Sequence, residues 1–477
     1  MLEKFFKMKE KGTNVKTEIM AGITTFFALS YIVFVNPNQI AADGATGWLV
    51  ELGADAAAMG QIWNAVFISS ILAAVIGSLM MGLYANLPFA QACGMGLNAF
   101  FCTCFVSGAY FAGVDVIAGY QAGVVIIFIS GVVFLILSAT GAREYIAKAM
   151  PECLKKSIPA GIGLFIAMIG LKNAGIIQAN QYTFVQIVDI KGGDFVTEIA
   201  PALVGFIGLL VIAILTKLNM KGNIIIGIFV STVLYYILTG AAISVDLSNI
   251  SQSFSDFGAI GITAIFTPDA WANAINGANI GGLFSAIILV ITFCLVDMFD
   301  TIGTLYGTAA QANMLDKNGD PVDVNKAMLC DSVATVSGAV LGTSTCTTYV
   351  ESAAGVAAGG RTGFTSVVTA ICLAACLFLS PLASIIPSCA TAPALIFVGV
   401  LMVKNFSKVD MNDMRSAVPA FLALIMMPLT YSIANGIGLA AIAYVLITIF
   451  TGKFKKEDIV ITGIAILFVL RFVLVTM

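Results

Sequence analysis

Apolar residues in this chain come in long solid blocks, not in alternation and not in one-sided stripes. The blocks lie at about 18–36, 61–83, 89–107, 121–140, 157–176, 199–216 and 222–241. A second set lies at about 282–308, 327–343, 345–358, 362–386, 390–403, 416–432, 434–451 and 458–476. Crossing a bilayer takes roughly 20 apolar residues. The pattern therefore predicts a polytopic helical membrane protein. The last four blocks crowd together, so the count falls at fourteen or fifteen, and 458–476 leaves open whether it spans fully. The stretch 242–281 is polar, with Asp246, Asp256 and Asp269 and no Lys or Arg.

Charge orients the blocks. Lys4, Lys7, Lys9, Lys11 and Lys16 put the tail 1–17 in the cytoplasm by the positive-inside bias. Alternate crossing then places Arg143, Lys148, Lys155 and Lys156 inside, with Lys217, Lys221, Arg361, Lys404, Lys408, Arg415, Lys453, Lys455 and Lys456. Glu51 and Asp55 fall outside, as does 242–281. Only Lys191 breaks the pattern. The N-terminus lacks the apolar core of a signal peptide. A cell (inner or plasma) membrane location is expected.

Composition narrows the chemistry. The chain is 477 residues, 59% apolar and 10% charged, with net charge -3. A soluble enzyme and a disordered chain are both excluded. Nucleic-acid binding has no basic footprint. There is no histidine, so proton work near neutrality falls to carboxylates. The ten cysteines form no C-x-x-C pair and read as packing thiols. No metal or cofactor is called for.

Two blocks look interrupted. In 85–98, Pro88, Gly94 and Gly96 make a continuous helix unfavourable, so extended chain through Pro88–Ala92 should give way to a helix near Gly94. Thr343–Val350 is rich in hydroxyl and β-branched residues, which favour extended backbone, and Glu351–Gly360 follows as a short small-residue helix. Extended backbone at membrane depth survives only inside protein or against water. The two stretches should pair, each half-helix aiming its N–H groups at the midplane. The alternative is a pair of packing kinks. Faint internal matches support a repeat: Thr25–Ser30 with Thr292–Asp297, and Pro159-Ala160 with Pro393-Ala394. Seven spans per copy is odd, so the copies, 18–241 and 282–477, would be inverted.

Carboxylates mark the site. Asp297, Asp300, Thr301, Thr304 and Thr308 share one helix face, and Gly303 and Gly307 would let another helix approach. An acid at the bilayer centre costs about 2.5–3.5 kcal/mol, so the stripe must face the bundle interior. Glu351 opens a half-helix, where the dipole favours its anion. Asp297 and Glu351 are read as functional. Asp300 either works with them or braces the bundle. Asp331 is expected near the inner end of its span, contacting backbone or solvent, and Arg471 is expected to snorkel.

Pro88–Phe100, Asp297–Thr304, Gly342–Thr345 through Glu351–Gly355, Gly359–Gly363 and Thr391–Ala394 resemble the AzgA-like purine permeases over nearly the whole chain. The resemblance implies a fold like that of the uracil permeases: fourteen spans in a seven-plus-seven inverted repeat, short antiparallel strands in spans three and ten, a core (spans 1–4 and 8–11) and a gate (spans 5–7 and 12–14). It implies proton-coupled import of adenine, guanine or hypoxanthine, and no enzymatic activity. By motif, Asn98 matches the family's polar residue of span three, Asp297 and Asp300 its span-eight acids and Glu351 its span-ten acid. Cys93 stands where Pro is common, and Cys346 where Thr or Ser is usual.

The expected cradle has Glu351 and Asp297 accepting purine N–H groups. Backbone N–H groups near Gly94 and Gly96 and near Ser352, Ala353 and Ala354 donate, Asn98 adds its amide, and Phe100 or Phe299 stacks. Asp297, Asp300 and Glu351 are the proton-coupling candidates. The rivals are an anion or ion transporter or channel, which an acidic site disfavours, and an intramembrane aspartyl protease, which two acids three apart on one helix disfavour. The preferred purine, the coupling ion and the oligomeric state stay open, with a homodimer as one option.

Overall fold

The computed structural model describes residues 2–141, 150–180, 182–220, 222–243, 248–276, 282–311, 314, 322–383 and 385–474. The apolar blocks become α1 (Val15–Leu29) and α2 (Ile32–Ile40), α3 (Ala56–Leu83), β1 (Gln91–Cys93) with α4 (Met95–Phe101), α5 (Val116–Ala139) and α6 (Glu152–Asn173). An exposed hairpin, β2 (Ile177–Asn180) and β3 (Phe184–Ile187), precedes α7 (Ala200–Lys217) and α8 (Asn223–Thr239). Then come α9 (Leu283–Gln311), α10 (Val324–Leu341), β4 (Cys346–Thr348) with α11 (Ser352–Ala357), and α12 (Gly363–Ala375). The chain ends in α13 (Ser388–Val403), α14 (Met414–Leu429), α15 (Ile433–Phe450) and α16 (Asp458–Leu474). Among the described residues, eight helices are long and apolar enough to cross a membrane.

The expected blocks and observed elements agree closely, with three differences. The β2–β3 hairpin falls between the expected blocks: its strands are too short to span, and Tyr182 and the apolar side chains of β3, Phe184 included, are exposed instead of packed. The first span is split at Ser30–Tyr31, and the polar connection contains the short helices Ser248–Asp256 and Pro268–Asn276. Arg471 is buried inside protein instead of reaching an interface, its guanidinium 6.0 Å from the Phe472 ring. The stretch 142–149, Lys221 and Asp246 lie outside the described residues, as do the side chain of Phe299 and the surroundings of Gly303 and Gly307.

The helices pack in two groups. One holds α1–α5 with α9–α12, tied by α12 against α1 and α3 and by α10 against α3 and α5. The other holds α6–α8 with α13–α16, centred on α6 against α13 and α14. The groups meet mainly where α6 touches α4 and α9. Gly96 enables this: a Cβ there would stand 2.6 Å from Ile162 Cγ2 of α6. At the ends, polar brackets replace apolar packing. The Asp458 carboxylate at the start of α16 accepts from Tyr444 at 3.0 Å and pairs with Arg415 at 3.4 Å. The tail is tied by Lys11, which donates to Asn86 O at 2.9 Å; burial holds its ammonium below the usual range.

Candidate functional site

The two interrupted segments meet. β1 and β4 pair antiparallel, Gln91 with Thr348, Ala92 with Thr347 and Cys93 with Cys346. The pairing extends one residue each way, Gly94 N to Thr345 O and Tyr349 N to Ala90 O, both at 3.0 Å. Backbone polar groups stripped from helices by Pro88 and the β-branched run thus find each other. Short helices leave the strands, α4 with Gly94 as its N-cap and α11 with Glu351 as its N-cap. Met95, Gly96 and Leu97, in the first turn of α4, have no helical carbonyl ahead of them. The matching groups of the other half are committed: Ser352, Ala353 and Ala354 donate to Tyr349, Val350 and Glu351 carbonyls at 2.9–3.1 Å. Three i→i+3 bonds of a tight first turn take the donors that the sequence reading gave to a ligand.

The acids divide by surroundings. Asp297 is 1% exposed and accepts from Thr335 at 2.9 Å. Asp300, one turn on, is half-buried, within electrostatic reach of Glu351. Its Oδ2 stands 3.7 Å from where a Gly94 Cβ would be. Glu351 is half-buried too, and its Oε1 accepts from Tyr31 at 2.6 Å. Asp331 corrects an expectation. It is fully buried beside the strands, accepting from Thr301 at 2.5 Å and Gln91 at 3.3 Å. The α10 helix runs behind the strand pair, so its middle, not its end, meets β1.

The remaining candidates lie close by with their polar atoms largely engaged. Asn98 donates to Asn36 Oδ1 at 2.6 Å and accepts from Ser344. Ser352 accepts from Ala90 N at 2.9 Å. Phe100 is buried against Phe293, centroids 4.9 Å apart. Cys93 and Cys346 face each other across the strands, sulfurs 3.7 Å apart.

A model of the permease family matches residues 16–439. The guanine/hypoxanthine permease PbuG of Bacillus subtilis is 39% identical over 472 residues, 99% of either chain. The chain belongs to this permease family. The adenine permease AdeP of Escherichia coli is 36% identical, with 100% of this permease and 96% of AdeP covered. The transmembrane domain of the cyanobacterial bicarbonate transporter BicA superposes with TM-score 0.60 at 15% identity, covering 89% of the permease and 98% of that domain. That likeness shows the fold alone. The permease is a multi-pass membrane transporter and not an enzyme.

Sequence reasoning missed several polar residues that pack around the candidate site. Tyr31 was hidden in an apolar block, its partner 320 residues away. Gln91, Thr335 and Asn36 were missed likewise, whereas Thr301 was already placed on the acidic face of α9 and there donates to Asp331. One signal was available: a Tyr, Gln or Asn in mid-span needs a partner, so each points to polar neighbours.

Proposed function

We propose that this permease imports purine nucleobases, guanine and hypoxanthine or adenine, by proton symport across the cell membrane. The carrying observation is the paired strand breaks, with half-buried Asp300 beside the α4 N-terminus and half-buried Glu351 within its electrostatic reach. An acid accepts a purine N–H, and the first-turn N–H groups of α4 donate to a ring nitrogen or carbonyl. A planar, uncharged ligand with both functions is complementary to that pair. Relatives named as guanine/hypoxanthine and adenine permeases support the class. Asp297, held by Thr335, and Asn98, held by Asn36 and Ser344, would shape the cradle from behind. Asp297, Asp300 and Glu351 are the groups through which a proton would couple.

In this reading the tail 1–17 is cytoplasmic. The first helix group is the core and the second the gate of a seven-plus-seven inverted repeat, over 18–241 and 282–477, with 242–281 outside. The two-group packing and the near-symmetric strand pair support it. Working pairs of the whole chain remain an option for the assembly. The test is uptake of labelled guanine, hypoxanthine and adenine in cells without purine transport, with xanthine and uracil as competitors. Saturable uptake abolished by a proton uncoupler is expected. Uptake that ignores the uncoupler would remove proton coupling, and no purine uptake would remove the substrate class.

A further inference from the structure

A second cluster of polar side chains lies outside the strand site. Gln39, at the end of α2, is 5% exposed, and neither its Nε2 nor its Oε1 has a hydrogen-bond partner among the described residues. Oδ1 of Asp43 is buried and unpartnered in the same way. A carboxamide shut away with both ends unpaired costs free energy that an apolar side chain of equal size would avoid. Gln39 and Asp43 face one small cavity, shared with Trp48, Thr103, Ile169 and Tyr431. As closed, it has room for about one water.

The cavity walls come from both helix groups. Gln39 and Thr103 belong to the first; Ile169 on α6 and Tyr431, between α14 and α15, belong to the second. Lys172, near the end of α6, crosses the seam. Its Nζ lies 4.1 Å from the centre of the Trp48 ring and 5.4 Å from that of Tyr431. An ammonium on an aromatic face is an attractive contact in its own right, here with the Asp43 carboxylate of the first group within electrostatic reach. It is also one that separates cleanly when the groups part.

We propose that this cavity, widened when the two helix groups separate, is an outer subsite for the nucleobase, which pairs along one edge with the Gln39 carboxamide and stacks on Trp48 where Lys172 now lies. The proposal rests on the nucleobase reading above. A carboxamide offers a donor and an acceptor side by side. That matches the N–H/carbonyl edge of guanine and hypoxanthine and the amino/ring-nitrogen edge of adenine. Such a group holds all three bases without choosing among them. The indole face adds sequence-tolerant stacking of the kind aromatic platforms give any base. When the groups close, Lys172 takes the ring, the seat disappears, and the base has moved inward or left. The unpaired amide is then a feature of the empty, closed form.

The test is Gln39→Met, which keeps side-chain length and removes both hydrogen-bonding atoms. Neither atom has a partner in the closed form, so the variant folds. Initial rates of labelled hypoxanthine, guanine and adenine uptake are measured in cells lacking purine transport, with membrane abundance. The expected result is a KM raised about tenfold for all three bases alike, at unchanged maximal rate per molecule. Trp48→Ala should do the same, and Trp48→Phe should recover most of the loss. A Gln39→Met KM equal to wild type overturns the proposal and leaves the amide to an ordered water. So does a change confined to maximal rate or abundance. A wild type that takes up no purine overturns the nucleobase reading and this proposal together; active wild type beside an unaltered Gln39→Met overturns this proposal alone.

Discussion

Glu18 and Glu351 are both glutamates inside apolar spans, and both sit at a helix N-terminus. Glu18 is fully buried in the first turn of α1 and caps a different helix, α12. Its carboxylate accepts from Arg361 N at 2.8 Å, Thr362 N at 3.3 Å, Thr365 N at 3.2 Å and Thr365 Oγ1 at 2.6 Å. Glu351 stands at the N-cap position of a helix of six residues with no side-chain capping bond, is half-buried, and has one side-chain donor among the described residues, Tyr31. Two acids of one residue type, both near a helix start, thus do different things. One has its lone pairs filled by protein and serves as a bracket. The other keeps open valence beside a gap in the helices, which is what a ligand requires.

The sharpest way to break that contrast is Glu351→Gln. It should abolish purine uptake while the protein reaches the membrane in normal amount, because the filled contacts of the fold are elsewhere. Losing one acceptor for a charged hydrogen bond costs about 1.5–3 kcal/mol, roughly ten- to hundredfold in affinity, and loss of a coupling group removes turnover besides. Near-normal uptake would place Glu351 with the brackets. Asp300→Asn should approach the same loss, whereas Asp297→Asn should act through the strand that Thr335 ties to it and lower abundance as well as rate. Uptake assays with surface quantification separate the two.

Glu18→Gln should give the opposite pattern. Gln keeps one acceptor and places an NH2 opposite N–H donors, so the α12 cap is lost. The expected cost is about 2–3 kcal/mol of stability, read as a lower unfolding temperature and reduced abundance. The molecules that remain should take up purine with an unchanged KM. A raised KM at normal abundance would give Glu18 a place in the transport cycle.

The spans were legible because lipid and protein interior impose the same demand, apolar residues all round, for some twenty positions. The breaks were legible because Pro88, Gly94 and the run Thr343–Thr348 each resist helix for a local reason, although Gly96, also read as a breaker, lies inside α4 and serves its close approach to α6. The rotation of α9 was not. Asp297 and Asp300 are three residues apart, about 60° around a helix, and that angle decides whether a carboxylate meets Thr335 or the Glu351 side. Asp331 was misplaced for a related reason: depth along α10 depends on how that helix lies behind the strands. Tyr31 and Gln39 were silent because their meaning lies in distant partners, or in the lack of them.

The smallest effect should come from Tyr31→Phe. It deletes the donor to Glu351 and keeps a ring that is fully buried, so packing is retained. A single such bond is worth about 1 kcal/mol net, and the KM for purine should rise roughly fivefold at unchanged abundance. The direction has a reason: without the phenol, Glu351 is free to turn from the strand pair, and substrate must pay to hold it there. Coupling can be read without transport. Tyr31→Phe should lower the unfolding temperature of the wild type, and this drop should shrink in a Glu351→Gln background, where the phenol faces a neutral amide. An equal drop in both backgrounds would mean that the phenol supports packing alone and does not position the acid.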